Sequence, residues 1–301
     1  MIKTPLSTVI GGAFWTPGAT VINGAKLSFE IVMKKLFANG EQGFYQDPYD
    51  LGVMFQDAAG TTAVNASGQP LGLVLDKSKG LVLGSEEFND ASITFVGESS
   101  RVSTGVYRLY SSNGAYSLID RLSGPVRPTA GKAFLISFNV DSVAVAGTGI
   151  SIEGSTSVIV VPSTIGEKTC IVVSNGLSNI GLKRSSTAMD VQISGISIKE
   201  LHGNHAYQAT SAARPILQDA PRRIDFDTVD DKLITNLPAQ VTGCTVIRSV
   251  PGVGAQILTN QTIPATYEDN KDHCGLIVIN RALTPSETSA IATEFNKRAG
   301  V

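Results

Sequence analysis

Four aspartates, Asp225, Asp227, Asp230 and Asp231, fall within seven positions. Carboxylates this close serve two chemistries. A pair flanking a sugar linkage can cleave it, and hard oxygen ligands suit Ca2+. Strand alternation sets Asp225 and Asp227 on one face and Phe226 on the other. The plainer expectation is a solvated strand edge running into an Asp-rich turn. The four are therefore weak metal candidates. No cofactor is expected, with Ca2+ the one ion that these ligands would suit.

Other chemistry is thinner still. The three histidines are His202, His205 and His273, and the three cysteines are Cys170, Cys244 and Cys274. His202-x-x-His205 with Cys244 and His273-Cys274 could be assembled into a zinc site, but no Cys-x-x-Cys anchors one. Turn polar groups and small buried thiols are the plainer expectation. Neither Gly-x-Ser-x-Gly nor Gly-x-Gly-x-x-Gly occurs, so no nucleophile elbow or phosphate loop is expected. The glycan candidates are Tyr107, Tyr110 and Tyr116, close to the Ser112-Asn113-Gly114 turn. Tyrosine offers an apolar face and a polar tip. On a regular strand Tyr107 and Tyr110 point to opposite sides, so at least one belongs to the core. No catalytic residue is expected, and the chain reads as a non-enzyme.

The elements that position these residues are mostly strands. Only 17% of the 301 residues are charged, and 30 are glycine. This suits a β-rich chain with many turns better than a helical bundle. Strands are expected at Ser92–Val96, Val106–Tyr110, Ala133–Val140, Val158–Val161, Cys170–Val173 and Val191–Ile198, separated by Gly- and Pro-bearing turns. A second set follows at Arg223–Phe226, Lys232–Thr235, Cys244–Arg248, Gly254–Leu258 and Gly275–Ile279. A helix is expected from about Ser28 to Ala38, with Phe29, Val32, Met33, Leu36 and Phe37 at helical spacing and Gly40 as its stop. Thr284-Pro285-Ser286-Glu287 carries the start of a last helix, with Gly300 at its end.

The net charge is −2 with no Lys/Arg block, so no nucleic-acid partner is expected. No apolar run is long enough to span a membrane. The start of the chain lacks a signal-peptide pattern, and the cysteines do not form a disulfide framework. The product is expected to fold in a reducing cytoplasm. The N-terminal stretch is apolar and Gly-rich and holds the single tryptophan. Phe14 and Trp15 are its attachment candidates.

Several strings carry a resemblance. They are Leu36–Gly43, Asp47-Pro48-Tyr49-Asp50-Leu51, Met54–Thr62, Gly68–Ser78, Gly203-Asn204-His205-Ala206, Arg214-Pro215, Ile224–Asp231 and Gly275–Glu287. Together they resemble laminin-G/concanavalin-like jelly-roll modules of tailed-bacteriophage structural proteins, over roughly half of the chain. In that family the Leu-Asp-Lys-Ser passage runs almost directly into Gly-Asn-His-Ala. Here Leu75–Ser78 and Gly203–Ala206 are separated by a stretch with its own strands. The stretch ends in Ile193–Leu201, which resembles the last strand of jelly-roll carbohydrate-binding modules, although the early Gly-Trp of that family is absent.

The resemblance implies a mainly β chain of two jelly-roll-type β-sandwiches, one inserted in the other, with an N-terminal arm and helix and a C-terminal helix. Residues 1–39 would be the arm and helix, for virion attachment or oligomerisation. Residues 40–80 plus 201–301 would form the discontinuous concanavalin/laminin-G-like sandwich, and 81–200 the inserted carbohydrate-binding-module-like one. The implied function is a structural component of a phage virion, in the tail, baseplate, collar or fibre apparatus, made in the host bacterial cytoplasm. Its partners would be other virion proteins and further copies of itself, with a trimer favoured. The alternatives are an adhesin that binds host-surface glycans and a capsid decoration protein.

Overall fold

The computed structural model describes residues 28–301, together with the backbone of Thr8–Ile10 and Ala13–Trp15, which pair as a two-stranded antiparallel ribbon. The side chains of Phe14 and Trp15, and the rest of the expected arm, lie outside the described residues.

The molecule is mainly β, built of several antiparallel sheets with a short N-terminal helix and a C-terminal helix. The C-terminal helix, Pro285–Ala299, follows its local code. Thr284 Oγ1 accepts the Glu287 N–H at 3.3 Å, and Glu287 returns by accepting the Thr284 N–H at 2.7 Å. Arg281 grips the same glutamate at 2.7 Å. Gly300 closes the helix in the left-handed region at φ 83°. Ile291, Phe295 and Ala299, four apart, form its buried stripe. The N-terminal helix runs Phe29–Leu36, starting on the Ser28 side chain. It stops at Phe37, earlier than the expected Ala38, and Gly40 belongs to the loop beyond.

Both helices cover one face of a four-stranded sheet with the order Gly254–Ile263, Val241–Val250, Leu276–Ile279, Gly43–Gln46. Leu276–Ile279 is buried throughout. Alternation sends Ile277 and Ile279 to the helices, where they meet Val32, Leu36, Ile291 and Phe295. Leu276 and Val278 point the other way, to Phe44, Cys244 and Val246. That second cluster takes in Leu237 and Tyr267, which link it to a five-stranded sheet of Thr266–Asp269, Leu233–Asn236, Ala206–Tyr207, Leu73–Val74 and Met54–Phe55.

Two more sheets come from the middle of the chain. One has the order Gly166–Val173, Ala133–Val145, Met189–Leu201, Val106–Ser111, Ser100–Ser103, and Leu83–Glu86 also pairs with Met189–Leu201. The other has the order Val160–Val161, Ile150–Glu153, Gly181–Arg184, Leu118–Asp120, Thr94–Val96. Tyr107, Leu109, Phe134, Ile136 and Ile193 of the first share one core with Ile119, Ile150, Ile152 and Leu182 of the second, a sandwich-like arrangement. Among the described residues, every pairing of named strands within 83–201 stays inside that stretch.

The stretch nonetheless packs on its neighbours. Ala133, Ile171, Val173 and Leu201 join the core of the five-stranded sheet that contains Leu73–Val74. The Ile171 N–H donates to the Ala59 carbonyl at 2.8 Å.

Candidate functional site

The most organised polar cluster lies where both ends of the 83–201 stretch meet the rest of the chain. Asp76 follows the short strand Leu73–Val74 and is fully buried. Its carboxylate accepts the N–H groups of Tyr45 (2.8 Å), Ser78 (2.8 Å) and Asn204 (2.7 Å), and the Ser78 hydroxyl at 2.8 Å. Its own N–H donates to His205 Nδ1 at 2.9 Å, and His205 Nε2 lies 3.0 Å from the Leu201 carbonyl. These partners fix a neutral imidazole with its proton on Nε2. Burial pushes the His205 pKa down. Burial pushes the Asp76 carboxyl up, opposed by the N–H groups that bond it. Asn204 also donates to the Gly43 carbonyl at 2.7 Å. Just outside, the His202 N–H donates to the Val82 carbonyl at 3.0 Å. Positions 76–82 and 201–205 are thus one hydrogen-bonded neck. The local signal in the sequence is Asp76-x-Ser78, an Asx-type turn. The pairing with His205 has no local signal.

The neck also disposes of the zinc set. His205 uses both ring nitrogens on the backbone. His273 is buried elsewhere, with Nε2 3.2 Å from Asp269 and neither ring nitrogen in hydrogen-bonding geometry. Cys170, Cys244 and Cys274 are buried free thiols, and burial pushes Cys170 up to about 12. Among the described residues, the only group of three or more His, Cys, Asp or Glu side chains placed to share a metal ion is Asp227, Asp230 and Asp231, whose ligand atoms lie within 4.8 Å of one another.

That aspartate turn differs from the strand expectation in one respect. The strand ends at Asp225, which pairs with Arg223 at 2.7 Å. The Asp227 carboxylate accepts the N–H groups of Val229, Asp230 and Asp231, and its own N–H donates to Asp231. A short side chain that bonds the following backbone curls the chain into a turn, so Asp225 and Asp227 do not share a strand face. Those N–H groups hold the exposed Asp227 carboxyl below its ordinary value. Burial and the neighbouring aspartates push Asp231 up. Hard oxygens at this turn are the residues that could hold Ca2+.

The three tyrosines separate. Tyr107 is fully buried, edge-on to Phe88 and tilted against Phe95, so its ring faces the core and not a ligand. Tyr110 lies on the outer face of the same strand, with the Arg108 guanidinium 4.0 Å from its ring. Arg108 pairs with Asp190 through two bonds of 2.7 Å. Tyr116 is 49% exposed and lies after the turn, away from that strand. The sequence did not single out Arg108 and Asp190, because their pairing depends on the register between Val106–Ser111 and Met189–Leu201.

No family model, no curated protein and no solved structure matches this chain.

Proposed function

We propose that this protein is a non-enzymatic structural component of a tailed-phage virion, in the tail, baseplate, collar or fibre apparatus. In this reading a laminin-G/concanavalin-like jelly roll, 40–80 plus 201–301, carries a carbohydrate-binding-module-like sandwich, 81–200, in one of its loops. The observation that supports it most is the neck. The stretch between its two sides pairs its strands internally, and its two flanks close on each other through Asp76, Asn204 and His205. Insertion is tolerated where the ends of a loop lie close together. The virion role itself rests on the resemblance of the flanking strings. The protein would act as a homo-oligomer, a trimer by preference, held to other virion proteins through residues 1–39. The test is incorporation into particles. Virions carrying the full chain should show it by electron microscopy, and virions supplied only with residues 28–301, which keep the helix that packs into the core, should lack it. Normal incorporation of the truncated chain would overturn the attachment role, and absence of the full chain from particles would overturn the reading.

The half-buried Arg108–Tyr110–Asp190 cluster on the outer face of its strand favours a second reading, a glycan-binding adhesin. A stacked aromatic beside bidentate polar groups suits a sugar ring. A glycan array probed with the full chain distinguishes the two. Binding that Tyr110→Ala abolishes supports the adhesin, and a blank array supports the structural component.

A further inference from the structure

A groove of about 920 Å³ opens between the two helices and the Lys77–Gly80 turn. Phe29, Met33 and Phe37, four apart, put an apolar stripe along one side. Lys34, Lys79 and Lys297 stand around it from three different elements. Five basic and three acidic residues line the groove, a net +2 on a chain whose total is −2. Asp47 and Glu294 are already committed to Lys77 and Arg298. Lys34 and Lys297 form no ion pair among the described residues, Lys79 donates only to the Glu41 carbonyl, and Glu30 is the one lining acid left without an ion pair there. A site of this size and character calls for an acidic occupant with an apolar tip.

The same chain displays one. The Asp227–Asp231 turn presents three carboxylates within 4.8 Å of one another, and none is in an ion pair among the described residues. Val229 stands at its apex, 85% exposed. The N-terminal arm is the wrong occupant on charge, since residues 1–27 hold Lys3 and Lys26 and no acid.

We propose that the aspartate turn of one copy docks, Val229 first, into the lysine-rimmed groove between the helices of a second copy. Groove and turn are different surfaces, so the contact is heterologous and closes into a ring when its rotation allows. This rests on the homo-oligomer of the reading above and names its interface.

Sedimentation velocity on the full chain tests it. The wild type should form an oligomer that 1 M salt dissociates, where the screening length falls to about 3 Å. Lys34→Glu/Lys297→Glu disables the groove, and Val229→Ser/Asp230→Lys disables the turn. The Asp230 carboxylate accepts no hydrogen bond in the turn, and both lysines are exposed, so the fold should stand. Each variant alone should associate at least about tenfold more weakly than the wild type. Mixed one to one, the two should form dimers and nothing larger, because each supplies the surface that the other lacks. A monomeric wild type would overturn the proposal. So would variants that assemble at wild-type strength, or a mixture no better than its components. The virion reading is decided separately, by incorporation of the full chain into particles.

Discussion

The main-chain N–H of Asp76 donates to Nδ1 of His205 at 2.9 Å, joining residues 129 positions apart. Around this bond the Asp76 carboxylate gathers three further N–H groups and a hydroxyl, all within 2.8 Å. A buried carboxylate needs such partners, because an unpaired buried charge is very costly. The result is a short bridge that fixes where the chain leaves for the 83–201 sheets and where it returns.

Asp76→Ala should therefore be severe. It strands the N–H groups of Tyr45, Ser78 and Asn204 without an acceptor, at about 1–3 kcal/mol for each buried donor left unmade. Ser78→Ala removes one donor and should cost about 1 kcal/mol. Urea midpoints of the two variants give the comparison. Equal losses would mean that the carboxylate does not organise the neck.

Gly43 carries a different constraint. Its φ is +137°, and a Cβ there would lie 1.9 Å from the Val278 carbonyl oxygen and 3.0 Å from Ile279 Cα. The obstacle is backbone of the adjoining strand, which cannot rotate aside. Gly43→Ala should separate the Gly43–Gln46 edge from Leu276–Ile279 and leave little soluble, cooperatively unfolding protein. Gly40→Ala meets nothing within 4 Å. It should cost only the left-handed backbone strain, about 1 kcal/mol. Circular dichroism melts of the two variants provide the check.

These two positions also mark what the sequence made legible. The C-terminal helix was readable because Thr284, Pro285, Glu287 and Gly300 act within a few residues of one another. The strand Val106–Ser111 was readable from period-two alternation, which also separated Tyr107 from Tyr110. The Asp-rich turn after the strand was readable, but the shared strand face of Asp225 and Asp227 was not realised, because alternation assumes a free backbone and the Asp227 carboxylate competes for it. The neck, the Arg108–Asp190 pair and the groove depend on register and on contacts over a hundred residues apart or between separate elements. No local rule reports such pairings.

His273 should set the pH dependence above the carboxylate range. It is fully buried beside Asp269, and Arg248 holds the same carboxylate at 2.6 Å. Burial pushes the His273 pKa down. Burial acts on Asp269 in the opposite sense, yet the Arg248 charge and the guanidinium's hydrogen bonds to both carboxylate oxygens hold its carboxyl below the ordinary value. For the histidine the unfolded chain binds its proton first as pH falls. Stability is then full above the free value of about 6.5 and declines as pH drops below it. His205, also pushed down, acts in the same direction. The urea midpoint should be lower at pH 5.5 than at pH 7.5. His273→Leu removes two ring nitrogens that have no hydrogen-bond partner. It should leave stability at pH 7.5 unchanged or raised and flatten the slope. A steeper slope in that variant would show that the imidazole is a satisfied member of the Asp269 network.

The nested arrangement proposed above is open to a deletion test. If residues 81–200 are a guest, replacing 83–200 by a short Gly-Ser linker should leave the remainder foldable, since the Val82 carbonyl and the His202 N–H are already 3.0 Å apart. The shortened chain should nonetheless be weakened. Ala133, Ile171 and Val173 leave the core cluster that contains Leu73, Val74 and Leu233. Fully buried side chains of the size of Ile171 and Val173 stabilise by about 1.5–3 kcal/mol each. A cooperative melt at reduced temperature, with dispersed amide signals by NMR, is the expected outcome. A chain that never folds would mean that the two parts are one cooperative unit whose middle sheets are indispensable. A chain as stable as the original would mean that the Ile171–Ala59 contact carries no weight.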